Sequence, residues 1–265
     1  WPEKSEVSFH MDFIGSHAVQ VSTPALADVI RPYNPHVFVF ENQLKELPAP
    51  RDYAAEEQAR NGRVTIFFGA LNREEDYADI LPVLNEAAKR YGDQLQFRVL
   101  ADSQFYRGLV SEHKEYIADP KLYDGRYVPY PVYQRVLHTA DISLLPLHDT
   151  AFNRTKSDLK FIESAGHGAV VLASPTVYER TVVDGCTGCI YHTPEEFAEK
   201  LQHLIEDKVY RHAIAAAARQ YVKEHRLLSQ HYLERVTAYR WLIDHHEELD
   251  RELGERLERL EKSEH

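Results

Sequence analysis

The sequence predicts an α/β fold in which a parallel sheet has helices on both faces. Short runs of β-branched, aromatic and other apolar residues suit buried strands, and they lie at 18–22, 36–40, 63–68, 95–101, 141–147 and 169–173. Helical patterns lie between most of these runs, at 24–31, 75–91, 132–138, 157–166 and 177–183. Strands that alternate with helices form right-handed βαβ units, and such units build a parallel sheet.

Local residues mark several element boundaries. Ser22 and Thr23 are possible N-caps before Pro24, which suits the first helical position. Gly168 stands where a helix should end. The segment 44–62 is rich in Pro, Ala and charge and predicts a linker followed by a polar turn.

From residue 228 onward the pattern predicts one long, charged helix. Apolar residues recur there at steps of three and four among many Glu and Arg residues, at Val236, Tyr239, Ile243, Leu249, Leu253, Leu257 and Leu260. Such a helix can pack back on its own domain and end in a solvated stretch. It can also form a short coiled coil, an oligomer contact or a link to another domain, and the pattern leaves both interpretations open.

Composition bounds the class of protein. The 265 residues are enough for one large or two small domains, and 43% hydrophobic with 28% charged residues is ordinary for a soluble globular protein. A net charge of −11 argues against a nucleic-acid partner, because phosphate backbones require clustered Lys and Arg. No apolar run approaches the roughly 20 residues that a membrane-spanning helix needs.

The ends of the sequence and its cysteines give further expectations. Residues 1–12 are polar and do not resemble a signal peptide, and two cysteines make no disulfide framework, so we expect a cytoplasmic protein. The first residue is Trp1 and the single methionine is Met11, so we expect a fragment of a longer protein.

The segment 141–174 predicts the functional site. An apolar strand runs into a polar loop, a helix follows, and a second apolar strand comes next. In open parallel sheets, ligands bind beyond the carboxyl ends of strands, where helix N-termini present N–H groups to anions. Lys156 and Lys160 lie near this helix start, and Glu163 lies further along it. Cations suit a diphosphate and a carboxylate suits the paired hydroxyls of a ribose, so the pattern predicts a sugar-nucleotide site.

The residues around Glu163 resemble the donor-binding region of retaining, GT-B-fold glycosyltransferases of the family-4 type, often called group 1. That family has two Glu residues separated by seven positions, and the second precedes A-x-G-x-P-V-V-A-S. Here Glu163 is followed by S-A-G-H-G-A-V-V-L-A-S, and 177–207 resembles the end of the family's donor domain. The resemblance covers roughly residues 17–225 and implies a Rossmann-like sheet.

This chain departs from the family pattern at two places. The first Glu of the pair should fall at Thr155. The Arg of the family's Gly-Arg motif, which with a following Lys holds the diphosphate, should follow Gly69, where Ala70 stands instead. The loop lysines are candidates to replace these missing charged contacts.

The resemblance implies roles for the loop and helix residues. Glu163 would bind the ribose hydroxyls, although a Glu on a helix more often faces solvent. Lys156 and Lys160 would contact phosphate, together with the backbone N–H groups of Asp158 and Leu159. Ser157 is a candidate for the same site, and as a simple N-cap it would need no ligand.

Four further positions are candidates, each with a plain structural alternative. Asn153 and Thr155 can bond sugar hydroxyls or can be ordinary polar loop residues. Gly69 allows close approach of the backbone to the diphosphate or simply ends a strand. Arg73 can compensate for the missing Arg or can be an exposed residue at a helix start.

Cys186 and Cys189 form a C-x-x-C pair with His192 nearby. A tetrahedral zinc site needs a fourth ligand, and the sequence has no second C-x-x-C pair, so we interpret the pair as incidental. We expect no metal and no cofactor other than the donor substrate.

By analogy with the family, 1–45 would be the tail of an acceptor-side domain and hinge, 46–227 the donor-binding domain, and 228–265 the long helix. The first functional hypothesis is a retaining glycosyltransferase, of hexosyltransferase type, that uses a nucleoside-diphosphate sugar and an unknown glycan, lipid or protein acceptor. This chain alone would be a donor-binding half without transfer activity. The alternatives are a degenerate, non-catalytic binding or scaffolding module and a nucleotide-sugar epimerase of the same shape.

Overall fold

A computed structural model of the chain describes residues 6–70, 73–119, 121 and 127–263. The strands of the described chain are β1 Val19–Val21, β2 Val37–Val39, β3 Val64–Gly69, β4 Leu95–Leu100, β5 Lys114–Ile117, β6 Ile142–Leu145, β7 Val170–Ala173 and β8 Cys189–Ile190. The helices are α1 Glu6–Ile14, α2 Pro24–Ile30, α3 Tyr53–Ala59, α4 Glu74–Tyr77, α5 Leu81–Tyr91, α6 Ser103–Gly108, α7 Tyr130–Leu137, α8 Ala151–Arg154, α9 Leu159–Gly166, α10 Pro175–Tyr178, α11 Pro194–Glu206, α12 Lys208–His225, α13 Leu228–Asp244 and α14 His246–Ser263.

The chain forms two compact units. The larger unit comprises Gln43–Asn153 and Asp158–Leu227, and the smaller unit comprises Trp1–Asn42, Arg154–Ser157 and Leu228–His265. The roles that the resemblance gives to 1–45, 46–227 and 228–265 stay predictions.

The larger unit contains a six-stranded parallel sheet in the order β5-β4-β3-β6-β7-β8. The chain places β4 and β5 on one side of β3 and then returns to place β6 on the other side. The strand order therefore reverses between β3 and β6, which is where ligands bind in open α/β sheets.

Alternate residues of β3 face different helices. Ile66 and Phe68 belong to a core that includes Leu84 of α5 and Phe105 of α6. Phe67 points to the other face of the sheet, because successive strand side chains alternate, and there it packs with Leu137 of α7. The predicted α/β class, with helices on both faces of a parallel sheet, is confirmed.

Three predicted boundaries in the larger unit were wrong. The predicted helix at 75–91 is two helices, α4 and α5, because Pro82 is tolerated only in a first helical turn. The predicted linker contains α3, whose N-cap Asp52 accepts a 3.0 Å hydrogen bond from the N–H of Ala55. The predicted helix at 177–183 is α10, which starts at Pro175 and ends at Tyr178.

The smaller unit has its own sheet and core. β1 and β2 pair in parallel, and Val21, Ala27 and Ile30 form a buried cluster beside them. Thr23 caps α2 by accepting a hydrogen bond from the N–H of Leu26, so the predicted helix start is confirmed. The predicted C-terminal helix is present as α13 and α14, which His245 separates.

Among the described helices, none is long and apolar enough to cross a membrane.

Candidate functional site

A cavity of about 420 Å³ lies at the carboxyl ends of β3 and β4 in the larger unit. Its lining residues come from these strand ends, from the residue before α4, from the segment before α7, and from α7 and α9: Gly69, Ala70, Arg73, Leu100, Ala101, Tyr127, Val128, Tyr130, Tyr133 and Lys160. The cavity therefore lies beside the reversal of strand order, and of the predicted site residues Gly69, Arg73 and Lys160 line it.

Lys160 is tied to the end of β3. It lies in the first turn of α9, and its ammonium donates a hydrogen bond to the carbonyl oxygen of Gly69. This contact holds a cation at the cavity wall, next to the first turn of a helix, where N–H groups lack intrahelical acceptors.

Arg73 is the second cation of the cavity wall. It lies just before α4, and its guanidinium is 3.0 Å from the Oδ2 of Asp76. The Arg73 side chain is 25% exposed, so part of it remains open to the cavity. Arg73 and Lys160 are the charged members of the lining set, so the described wall is cationic.

Ala70, at the position where the family has Arg, lines the same cavity as Arg73 and Lys160. The next two residues, Leu71 and Asn72, lie outside the described residues. The cations of the wall thus come from the start of α4 and from α9, and the position after Gly69 contributes a methyl group.

Glu163 lies on α9 one turn beyond Lys160 and is only 7% exposed. Its Oε2 accepts a 2.8 Å hydrogen bond from the Tyr133 hydroxyl, and its Oε1 accepts a 3.0 Å hydrogen bond from the Tyr130 hydroxyl. Burial raises the pKa of the Glu163 carboxyl, and the two tyrosine hydrogen bonds and Lys160 oppose that rise.

Tyr130 and Tyr133 were not predicted as site residues. They lie three residues apart on α7, so they share one helix face, and their ring centroids are 5.9 Å apart. The sequence signal was this three-residue spacing at the start of a predicted helix.

Asn153 supports the loop after β6. Its side-chain amide donates to the carbonyl of His148 at 2.8 Å and to Asp76 Oδ1 at 3.2 Å, and the residue is 6% exposed. Asn153 is absent from the described lining set of the cavity. Through Asp76, however, it shares a hydrogen-bonded cluster with Arg73.

Asp158 stands at the N-cap position of α9, but its side chain does not cap the helix. Its carboxylate forms a two-pronged ion pair with Arg226, with N–O distances of 2.7 and 2.8 Å. The predicted helix start at Ser157 was wrong by two residues, since the helix begins at Leu159, which is 36% exposed.

Thr155, Lys156 and Ser157 belong to the smaller unit. The Ser157 hydroxyl accepts a 2.6 Å hydrogen bond from Asn42, and the Thr155 carbonyl accepts one of 2.7 Å from Thr23. Lys156 is half-buried. The predicted phosphate and sugar contacts of these three residues stay predictions.

Cys186 is exposed and Cys189 is buried in β8. Burial raises the pKa of the Cys189 thiol, whose sulfur lies 3.9 Å from the Tyr210 hydroxyl. Within the described ranges, no three His, Cys, Asp or Glu side chains are placed to hold a metal ion.

A protein-family model described as "Glycosyl transferase-like" matches residues 80–239 of the chain. No curated protein matches the chain in sequence.

Several solved structures share the fold. S. aureus TarM, a mutant in complex with fondaparinux, alpha-GlcNAc-glycerol and UDP, matches with a TM-score of 0.65 and 14% identity over 89% of this chain and 46% of that chain. Sucrose-phosphate synthase from Thermosynechococcus elongatus matches with a TM-score of 0.66 and 13% identity over 91% of this chain and 63% of that chain. Anabaena HepE in complex with UDP and glucose matches with a TM-score of 0.62 and 12% identity over 84% of this chain and 63% of that chain.

This chain thus spans between 46% and 63% of the length of those three proteins. The family match confirms the resemblance that the residues around Glu163 predicted, and the three solved structures show that the fold is shared.

Proposed function

The chain belongs to the glycosyl transferase-like family, and we propose that it is the donor-binding half of an enzyme that binds a nucleoside-diphosphate sugar and transfers the sugar, with retention, to an acceptor hydroxyl. The observation that supports this most is the combination of two cations in the cavity wall, Lys160 and Arg73, with the buried carboxylate of Glu163, which lies behind the lining residues Tyr130 and Tyr133. Cations suit the diphosphate and a carboxylate suits the ribose diol. Complexes of TarM and HepE with UDP are consistent with a uridine nucleotide.

In the proposed reaction, the bond from the anomeric carbon to the diphosphate breaks through an oxocarbenium-like state. The acceptor hydroxyl then attacks from the face that the diphosphate leaves and gives its proton to an oxygen of the leaving diphosphate. Negative charge develops on the leaving diphosphate, and groups held in place before the reaction stabilise such charge effectively. Lys160 is held by the Gly69 carbonyl and Arg73 by Asp76, so both cations are positioned in advance.

We propose that no metal ion is needed, because these two side chains supply positive charge where a divalent cation would otherwise bind the diphosphate. Nucleotide affinity that is unchanged by a chelator supports this proposal, and affinity that requires Mg²⁺ contradicts it. A hexose as the transferred sugar, a glycan, lipid or protein as acceptor, and a cytoplasmic location all remain predictions from the sequence.

Calorimetric titration with UDP-, GDP- and ADP-sugars tests the binding step. We expect one nucleotide class to bind, and we expect Lys160→Ala to weaken it. Lys89→Ala is the matched control, because it removes the same charge from an exposed lysine that pairs with Glu86 on α5. Loss of affinity in both variants to the same extent would indicate a general charge effect.

A second candidate function is a degenerate, non-catalytic binding module. Ala70 and Thr155 favour it, because the family has charged residues at these two positions. No binding by any of the three nucleotide classes supports this second candidate.

A further inference from the structure

Two tyrosines stand between Glu163 and the cavity. Tyr130 and Tyr133 line the cavity, whereas Glu163 is absent from the described lining set and is 7% exposed. Both carboxylate oxygens already accept a hydrogen bond from a tyrosine hydroxyl. A ligand in the cavity therefore meets the tyrosines before it meets the carboxylate.

The two tyrosines differ in how firmly they are held. Tyr133 packs against the buried cluster of Phe67, Leu137 and Ala140, and its ring lies edge-on to Phe67 with centroids 6.1 Å apart. Tyr130 is 51% exposed, so its ring has few neighbours to move. Rotation of Tyr130 about its side-chain bonds costs little packing, whereas rotation of Tyr133 disrupts a core contact.

The chemistry of the contact is the same for tyrosine and for ribose. An ionised carboxylate only accepts hydrogen bonds, and both a phenol hydroxyl and a ribose hydroxyl donate them. A ribose diol that approaches Glu163 from the cavity competes with the exposed Tyr130 for the Oε1 atom of Glu163.

We propose that Tyr133 is a permanent positioning residue for the Glu163 carboxylate and that the ribose diol displaces the hydroxyl of Tyr130 from Oε1. Together the two tyrosines then set the preference of the site for ribonucleotides over 2′-deoxyribonucleotides. This inference rests on the proposed function, since it assumes a nucleoside diphosphate in the cavity. Beyond that function, Tyr133 orients the carboxylate that binds the ribose, and Tyr130 is the residue that the ribose displaces.

The test compares the dissociation constants of UDP, GDP or ADP, whichever binds, with that of its 2′-deoxy analogue in three variants. Tyr130→Phe should tighten binding of the ribonucleotide by about tenfold or more, because the ligand no longer breaks a hydrogen bond to a charged carboxylate, worth about 1.5–3 kcal/mol. Tyr133→Phe should lower the ratio of ribonucleotide to deoxyribonucleotide affinity by about tenfold, because the carboxylate loses its fixed orientation. Neither phenylalanine removes the aromatic ring, so stacking contacts are kept.

Tyr91→Phe is the matched control. The Tyr91 hydroxyl also donates to a glutamate, with 2.6 Å to Glu206 Oε1, but Tyr91 and Glu206 lie on α5 and α11 and do not line the cavity. It should change neither the affinity nor the ratio.

Equal losses in Tyr130→Phe and Tyr133→Phe would overturn the inference, and so would a wild type that binds the nucleotide without any ribose preference. In both cases the proposed function stands. A wild type that binds none of the three diphosphates would overturn the proposed function and the inference together. If Tyr133→Phe unfolds, the dissociation constant of the ribonucleotide for Tyr130→Phe still tests the inference. The half-exposed Tyr130 is not needed for the core, so this variant should fold.

Discussion

Lys160 and Glu163 lie three residues apart on α9, and each is bound to a different element: Lys160 to the carbonyl of Gly69 in β3, and Glu163 to Tyr130 and Tyr133 in α7. The short helix α9 therefore presents a cation beside the end of β3 and a carboxylate beside α7. This separation suits a nucleoside diphosphate, because its phosphates bind cations and its ribose hydroxyls donate hydrogen bonds to a carboxylate.

Replacing Glu163 with Gln should weaken nucleotide binding. The expected loss is roughly 1.5–3 kcal/mol, the range for a hydrogen bond to a charged group. Because Gln keeps the volume of Glu, the fold should be preserved, as circular dichroism would check. An unchanged dissociation constant for the nucleotide would remove Glu163 from the site.

The same variant should be more stable than the wild type at neutral pH. Burial raises the folded-state pKa of Glu163 above its usual value, so the ionised carboxylate disfavours the folded state above that pKa, and the disadvantage fades as the pH falls through it. The difference in free energy of unfolding between Glu163→Gln and wild type should shrink on acidification. Nucleotide affinity of the wild type should fall over the same pH range, because a protonated Glu163 accepts fewer hydrogen bonds. A difference in stability that is independent of pH would contradict this.

Lys156→Ala tests the role that the sequence gives to Lys156. If Lys156 contacts phosphate, the variant should lose affinity for nucleoside diphosphates and keep its affinity for the bare nucleoside. Added salt should weaken wild-type binding of the diphosphate in parallel. Equal losses for the nucleoside and the diphosphate would assign Lys156 to loop structure.

Much of the larger unit could be predicted from sequence because its central strands β3, β6 and β7 are largely apolar and buried on both faces. β5 and β8 were missed for physical reasons: β5 is an edge strand whose Glu115 and Tyr116 are exposed, and β8 has only two residues. Neither has the continuous apolar run that marks a central strand.

The site was predictable only in part. Glu163 and Lys160 lie on one helix in a recognisable sequence context, but the partners of Glu163 come from α7, about thirty residues earlier in the chain. Their spacing shows that Tyr130 and Tyr133 share a helix face. It does not show that this face meets α9, which depends on the strand order of the sheet. For Asp158 the sequence predicted a phosphate contact through the backbone N–H. It did not reveal that the carboxylate forms an ion pair with Arg226, which lies much later in the chain.

Breaking the Asp158–Arg226 pair should destabilise the fold. Both side chains are largely buried, 11% and 6% exposed, so removal of one partner leaves a charge that is neither paired nor well solvated. Asp158→Ala should lower the free energy of unfolding by about 3–5 kcal/mol. Glu258→Ala, which breaks the exposed pair with Lys262, is the control and should cost at most about 1 kcal/mol. Denaturant titrations of both variants measure the difference, and equal costs would show that the burial of the Asp158 pair is unimportant.

Gly69→Ala should disturb the site through Phe67, which lies two residues earlier in β3. A Cβ atom at Gly69 would overlap the Phe67 ring, with the Cε1 atom of that ring only 2.8 Å away, so the ring must move. Phe67 supports Tyr133, and Tyr133 holds Glu163, so the displacement should reach the ribose contact. We expect weaker nucleotide binding and a reduced preference for ribose over deoxyribose. The loss in free energy of unfolding should be smaller than that of Asp158→Ala. Gly254→Ala is the control, because an added Cβ on α14 meets no atom within 4 Å. A Gly69→Ala variant that loses affinity for ribo- and deoxyribonucleotides equally would place its effect at the phosphates, beside Lys160, and would contradict the path through Phe67.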